Sequence, residues 1–222
     1  MPAKNTVKPY TANGIYHIYN VGVDNRPIFQ EDQDYQTFLS LLASYLSPHP
    51  LDPLPKEKPS RLRRRQNMNL SSEIRLLAYC LMPNHFHLLA QQTHSDSITK
   101  LLRRVATSYV TYFNRKYHRS GTLFQNIYKA VLIADPHRLL HLSRYIHLNP
   151  ISTKKIGPLR ASLSPADYPY SSYQKYLDLG NSDWLNTQVL LSLLPASHPS
   201  YQAFVEDRHP DSASLIQSLT LE

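Results

Sequence analysis

Apolar positions along the chain recur with two different periods, and the switches between them outline the fold. Residues 15–22, Ile-Tyr-His-Ile-Tyr-Asn-Val-Gly, are β-branched and aromatic and stop at Gly22, which predicts a strand. A turn follows through Asp24-Asn25-Arg26-Pro27. From Asp32, the residues Tyr35, Phe38, Leu39, Leu42 and Leu46 recur at helical spacing and predict a helix over 32–47. Residues 74–82 (Ile-Arg-Leu-Leu-Ala-Tyr-Cys-Leu-Met) read as a buried strand, Pro83-Asn84 as a turn, and 85–91 (His-Phe-His-Leu-Leu-Ala-Gln) as the returning strand of a hairpin. Ser95 or Asp96 can cap a second helix, whose apolar positions are Ile98, Leu101, Leu102, Val105, Tyr109, Tyr112 and Phe113. Ser120-Gly121 ends it, and 127–133 reads as a further strand. Asp135-Pro136 is a cap followed by proline at the first helical position, opening a helix that the pattern carries to Asn149, before Pro150.

The order β, α, β, β, α, β, α begins with a ferredoxin-like βαββαβ unit: an α+β fold with an antiparallel sheet and helices on one face, followed by one more helix. Residues 1–150 are expected to form the main domain. Residues 151–222 are expected to be an irregular extension packed on it or trailing it, with a short helix near 184–194.

Composition adds a partner. The chain has 222 residues with 24 Lys and Arg against 16 Asp and Glu, a formal charge of +8. Such a surplus favours a polyanion, most often nucleic acid. The single cysteine, Cys80, excludes a disulfide-stapled scaffold, and no apolar run is long enough to cross a membrane. Met1-Pro2-Ala3-Lys4-Asn5 has no apolar core of a signal peptide, so the expectation is a soluble, cytoplasmic protein without a membrane partner. Residues 48–65 break the pattern. Five prolines lie between 48 and 59, and six Lys or Arg between 56 and 65, including Arg63, Arg64 and Arg65. This stretch reads as an exposed loop, either a basic arm for phosphates or a solvated linker.

Three groups of residues can carry chemistry. His85 and His87 stand two apart on a strand, so both imidazoles lie on one face, where they can chelate a divalent metal; two packed histidines look the same in sequence. His141, Tyr145 and Asn149 stand at i, i+4 and i+8 and form one stripe, beside the apolar stripe Leu139, Leu142 and Ile146 that would seat the helix. Tyr145 falls at the border of the buried face, where packing tyrosines are common. Third, residues 97–134 hold Lys100, Arg103, Arg104, Arg115, Lys116, Arg119 and Lys129 without a single carboxylate, interleaved with aromatic rings. Charges that track a backbone beside rings that can stack on bases suit single-stranded or hairpin nucleic acid; the same rings can equally be core.

The stretch Leu81-Met82-Pro83-Asn84-His85-Phe86-His87-Leu88-Leu89 resembles the His-hydrophobic-His motif of the single-tyrosine HUH transposases, in their REP-associated tyrosine transposase branch. Tyr16–Gly22, Ser120–Gln125, Tyr145–Pro150 and Tyr168–Tyr173 resemble further motifs of that family, in order. The resemblance implies a metal-dependent single-stranded DNA endonuclease and strand transferase that recognises hairpin DNA. It implies Tyr145 as nucleophile, giving a 5′-phosphotyrosine, with His85, His87 and Asn149 as ligands of Mg2+ or Mn2+. The chain departs from the pattern at Val21 and Ile127, where members carry basic residues. Two lost phosphate contacts would suit a domesticated protein that binds hairpin DNA or RNA without cutting it, and this reading stands beside the first.

Overall fold

The computed structural model describes residues 10–48, 68–152, 164–179 and 182–207. The proline-rich loop, with Arg63, Arg64 and Arg65, lies outside the described residues. The elements follow the expected order: β1 (Ile15–Val21), α1 (Asp32–Leu46), β2 (Ile74–Met82), β3 (His85–Gln92), α2 (Ser97–Lys116), β4 (Lys129–Leu132) and α3 (Pro136–Ser152). Three short helices follow: α4 (Tyr173–Tyr176), α5 (Gln188–Leu191) and α6 (Tyr201–Glu206). The sheet order is β2-β3-β1-β4 with every pairing antiparallel, the ferredoxin-like arrangement.

Side chains alternate across the sheet and divide the interior in two. Tyr16, Ile18, Phe86, Leu88 and Ala90 point to one face, where they pack with α1 and α2 residues including Phe38, Leu42, Leu101, Val105 and Tyr109. Leu77, Cys80, Met82 and Leu89 point to the other, against Leu139, Leu142 and Ile146 of α3. The apolar stripe expected on α3 therefore does seat it, on the face opposite α1 and α2. This second core is completed from beyond residue 152, by Tyr173 and Tyr176 of α4, Leu190 of α5, and Tyr201, Phe204 and Val205 of α6.

The same segment covers the outer edge of β2. Leu81 N donates to Tyr170 O (2.9 Å), Ser172 N to Tyr79 O (2.9 Å) and Asn186 N to Leu76 O (2.8 Å), so the edge backbone is paired rather than left open. His147 of α3 joins this seam. It is fully buried, with Nδ1 2.8 Å from Tyr201 Oη and Nε2 2.7 Å from Ser172 Oγ, and burial lowers its pKa to about 3. A neutral imidazole thus ties α3 to α6 and to Ser172, which in turn pairs with Tyr79 of β2.

Helix α3 does not stop before Pro150 but runs on to Ser152. Proline removes its own N–H and its ring crowds the carbonyl one turn back, but so close to the helix end both effects fall on the last turns and do not break a long run.

Candidate active site

Cross-strand register assembles the site on the α3 face of the sheet. His87 is paired with Tyr19 of β1 and with Cys80 of β2, while His85 is paired with Val21 and Met82. A period of two puts His85 and His87 side by side, their rings 5.0 Å apart and nearly perpendicular. Phe86 between them points away, into the α1–α2 core. From above, α3 presents Tyr145 and Asn149, one turn apart. The Tyr145 ring meets the His87 ring edge-on with centroids 5.6 Å apart. The Asn149 amide reaches both histidines: Oδ1 is 3.3 Å from His85 Nε2, and Nδ2 is 3.4 Å from His87 Nε2. The four residues picked out along two separate stretches of sequence therefore converge on one spot.

Burial differs within the group. His87 and Asn149 are buried, whereas His85 and Tyr145 are half-buried, so the spot is open on the side where those two lie. Desolvation, with His17 and His85 beside it, holds the His87 pKa well below the usual imidazole range. His87 is neutral, the form that can donate an electron pair to a metal.

The donor atoms suit a divalent cation. His85 Nδ1 lies 2.8 Å from Asn84 Oδ1, and a carboxamide oxygen only accepts, so Nδ1 carries a proton. His85 Nε2 lies 3.3 Å from Asn149 Oδ1. With Nε2 unprotonated, both atoms would offer an electron pair to a cation between them. Among the described residues no group of three His, Cys, Asp or Glu side chains could hold a metal; beside the two imidazoles, the Asn149 amide oxygen is the further donor a cation here could use. Oxygen from an amide alongside two imidazoles fits Mn2+ and tolerates Mg2+.

Two residues at this site lie within the Tyr16–Gly22 stretch but carry no role in the sequence reading. His17 of β1 is wholly buried, and its Nε2 lies 2.9 Å from His87 Nδ1. Tyr19 stands beside both histidines, its ring 4.8 Å from that of His17 and 6.1 Å from that of His87. Burial raises the Tyr19 pKa, and the Lys129 ammonium sits 5.8 Å from its ring centre. Lys129 is accordingly the basic candidate on the same face as the histidines.

The other described basic candidates lie on α2, across the sheet from the histidines, or in the case of Arg119 just beyond its end, and they are not equivalent. Arg103 and Arg115 are exposed, and Arg119 stacks its guanidinium 5.7 Å from the Phe113 ring centre. Lys100 pairs with Glu73 (3.3 Å) and Asp96 (3.1 Å). Arg104 donates to Met68 O. Lys116 pairs with Asp34 (2.7 Å) and Glu31 (2.5 Å) at the start of α1. Of the rings expected to interleave with these charges, Tyr109 and Phe113 are fully buried, while Tyr112, Tyr117, Phe124 and Tyr128 are half-buried against the core. An apolar cavity of about 560 Å³ opens between α2 and the segment before β4, lined by Phe38, Phe86, Phe124, Tyr128 and the exposed Ile127, with Arg103 at its wall.

Fold and site together describe an α+β protein with two histidines, a tyrosine and an asparagine gathered between its sheet and α3. Residues 61–149, less than half of the chain, match the family model described as IS200-like transposase, and that stretch contains His85, His87, Tyr145 and Asn149. The chain is also similar to a solved structure of a REP-associated tyrosine transposase bound to a REP hairpin, with a TM-score of 0.53 over 83% of this chain and 92% of that one. Their sequences are 14% identical, so the likeness is one of fold. Both comparisons fall on the family whose motifs the sequence resembles. No curated protein matches the chain, and among the described residues no helix is long and apolar enough to cross a membrane.

Proposed function

We propose that the protein cleaves and rejoins single-stranded DNA next to a hairpin, with Tyr145 as nucleophile and Mg2+ or Mn2+ held by His85, His87 and Asn149. The observation that carries this reading is the convergence of one tyrosine, two imidazoles and one amide at a half-open spot between the sheet and α3. A phosphodiester is cut when an oxygen attacks phosphorus in line with a leaving oxygen. The Tyr145 phenol would form the new P–O bond, the P–O3′ bond would break, and the phenolic proton would be balanced by one taken up on the departing 3′ oxygen. The products are a 5′-phosphotyrosine and a free 3′-hydroxyl. One ester replaces another, so a second 3′-hydroxyl can reverse the step and join strands without ATP. The bound cation would supply charge neutralisation at the scissile phosphate, a contribution of several kcal/mol. The edge-on contact with His87 holds the Tyr145 ring beside the two histidines. The net charge of +8 and exposed Arg103 and Arg115 support a polyanionic partner.

A protein that binds hairpins without cutting is the second reading, favoured by one observation: Ile127, where family members carry a basic residue, is 64% exposed and offers the phosphates nothing. One experiment separates the two. The protein is incubated with Mn2+ and a single-stranded oligonucleotide that carries a hairpin and a cleavable flank drawn from its own flanking DNA. The expected product is an adduct that survives denaturant and maps to Tyr145. Tyr145→Phe keeps the ring and should bind the hairpin as before yet form no adduct. Tight binding with no adduct from the wild type would overturn the catalytic reading, and an adduct on another tyrosine would overturn the role of Tyr145.

A further inference from the structure

We propose that His17 is the positioning residue of this site: it sets the tautomer and ring plane of His87, and so decides that the His87 Nε2 lone pair faces the cation position. The inference rests on the metal reading above and adds to it a residue of the first strand to which the motif resemblance assigns no role.

Three observations meet on His87. Its Nδ1 is 2.9 Å from His17 Nε2, with both residues buried in the sheet and their rings nearly parallel, 19° apart. Its Nε2 is 3.4 Å from the Asn149 amide nitrogen, which can only donate. In this orientation the Asn149 Oδ1 lies 3.3 Å from His85 Nε2. An Nε2 that accepts places the single proton of a neutral imidazole on Nδ1, and His17 Nε2 must then be the acceptor. The opposite arrangement, with the proton on His17 Nε2, would force Nε2–H onto His87 and leave no lone pair for a metal. A metal-binding histidine usually donates its other N–H to a fixed acceptor, which locks the tautomer and orientation. Here that acceptor is a neutral imidazole from the neighbouring strand, held in turn by ring contact with Tyr19 at 4.8 Å. A carboxylate could do the same, but at a fully buried position it would add a charge with a heavy desolvation cost. His85, the half-buried partner, instead uses Asn84 at the turn for the same purpose.

Two substitutions in the full chain test this. His17→Gln places a carboxamide oxygen near the Nε2 position and retains an acceptor; His17→Leu keeps bulk and removes it. Three readouts are needed: the His87 ring tautomer in metal-free protein, from long-range nitrogen–proton NMR; Mn2+ affinity, from calorimetry; and hairpin affinity without metal. The wild type and His17→Gln should show His87 with the proton on Nδ1 and similar Mn2+ affinities. His17→Leu should shift the tautomer and lose about 10- to 100-fold in Mn2+ affinity, with metal-free hairpin affinity within about twofold. A merely structural role would lower hairpin affinity along with Mn2+ affinity and would not be restored by Gln. Wild-type Mn2+ affinity in His17→Leu would overturn the role of His17 while leaving the metal site standing. Absence of Mn2+ binding by the wild type would overturn the metal reading and this role with it. Because the NMR measurement on the wild type needs no variant to fold, His87 found with its proton on Nε2 would by itself refute the proposal.

Discussion

Lys116 looks in sequence like one more cation on a nucleic-acid-facing helix, and the fold predicts otherwise. Its ammonium lies 2.7 Å from Asp34 Oδ1, 2.5 Å from Glu31 Oε1 and 2.8 Å from Tyr112 Oη. The Asp34 side chain has no solvent exposure at all, and that of Lys116 is 21% exposed. Replacement by Met keeps most of the apolar stem and removes the charge. Removing one partner of a buried pair costs about 3–5 kcal/mol when the other is stranded. Asp34 would not be fully stranded: it still accepts from Tyr117 Oη (2.7 Å), Tyr112 Oη (2.9 Å), Gln30 N (2.8 Å) and Glu31 N (3.3 Å). The expected loss for Lys116→Met is therefore nearer about 2 kcal/mol, or roughly 4–8 °C in Tm for a chain of this size.

The pH dependence has a definite sign. Burial alone would raise the Asp34 pKa, but hydrogen bonds from Lys116, Gln30 N, Tyr117 and Tyr112 outweigh it and hold the carboxyl below the ordinary range. A depressed folded pKa means that the stabilisation is complete above the unfolded value and is lost as pH falls through the folded one. The stability gap between wild type and Lys116→Met should thus be full at neutral pH and narrow below about pH 4. Hairpin binding should behave in the opposite way. Each phosphate contact on a single strand adds about −0.7 to the slope of log K against log salt. Lys116→Met should leave that slope alone, while Arg103→Ala and Arg115→Ala should each flatten it by up to about 0.7. Urea melts and fluorescence-anisotropy titrations across a salt series provide the two measurements. A Lys116→Met protein with unchanged stability and a slope flattened by about 0.7 would refute the reasoning.

Three further outcomes follow from particular contacts. His85→Ala and His87→Ala should each abolish Mn2+ binding and adduct formation while hairpin affinity is largely kept, with a smaller loss in Asn149→Ala because water can replace an amide; calorimetric Mn2+ binding that survives the double His substitution would sink the ligand assignment. Gly22→Ala should destabilise by about 2 kcal/mol or more, read from the urea midpoint, since a Cβ there would stand 2.2 Å from Arg26 O at the turn where Gly22 N bonds Asn84 O; a midpoint equal to that of the wild type would count against it. Cys80 is wholly buried and burial pushes its thiol pKa upward, so a thiol reagent should label it only at the rate of unfolding; stoichiometric labelling within seconds under native conditions would contradict that.

What could be read along the chain was whatever depends on near neighbours. The strand at 74–82, the turn at Pro83-Asn84 and the helix from Asp32 came from period and turn chemistry, and so did the shared face of His85 and His87 and the i, i+4 spacing of Tyr145 and Asn149. What depends on distant pairing could not. His17 stands on the first strand at a position like any other inward-facing residue. Only the register that sets Tyr19 opposite His87 brings the His17 ring within reach, and that register joins strands far apart along the chain, with α1 and β2 between them.

The charges teach the same lesson in reverse. The absence of carboxylates between residues 97 and 134 argues for a cationic surface only if the neutralising groups must be local. Here they come from elsewhere: Glu73 precedes the window and reaches Lys100, while Asp34 lies 82 residues before Lys116 and meets it across the α1–α2 packing. Local composition therefore overstates the surface available to phosphates. Of the seven basic candidates in that window, Lys100 and Lys116 are held in ion pairs and Arg104 donates to a backbone carbonyl, whereas Arg103 and Arg115 remain exposed and Lys129 alone lies on the face of the histidines. A net charge states how many cations a chain has in excess; the topology decides which of them a nucleic acid can meet.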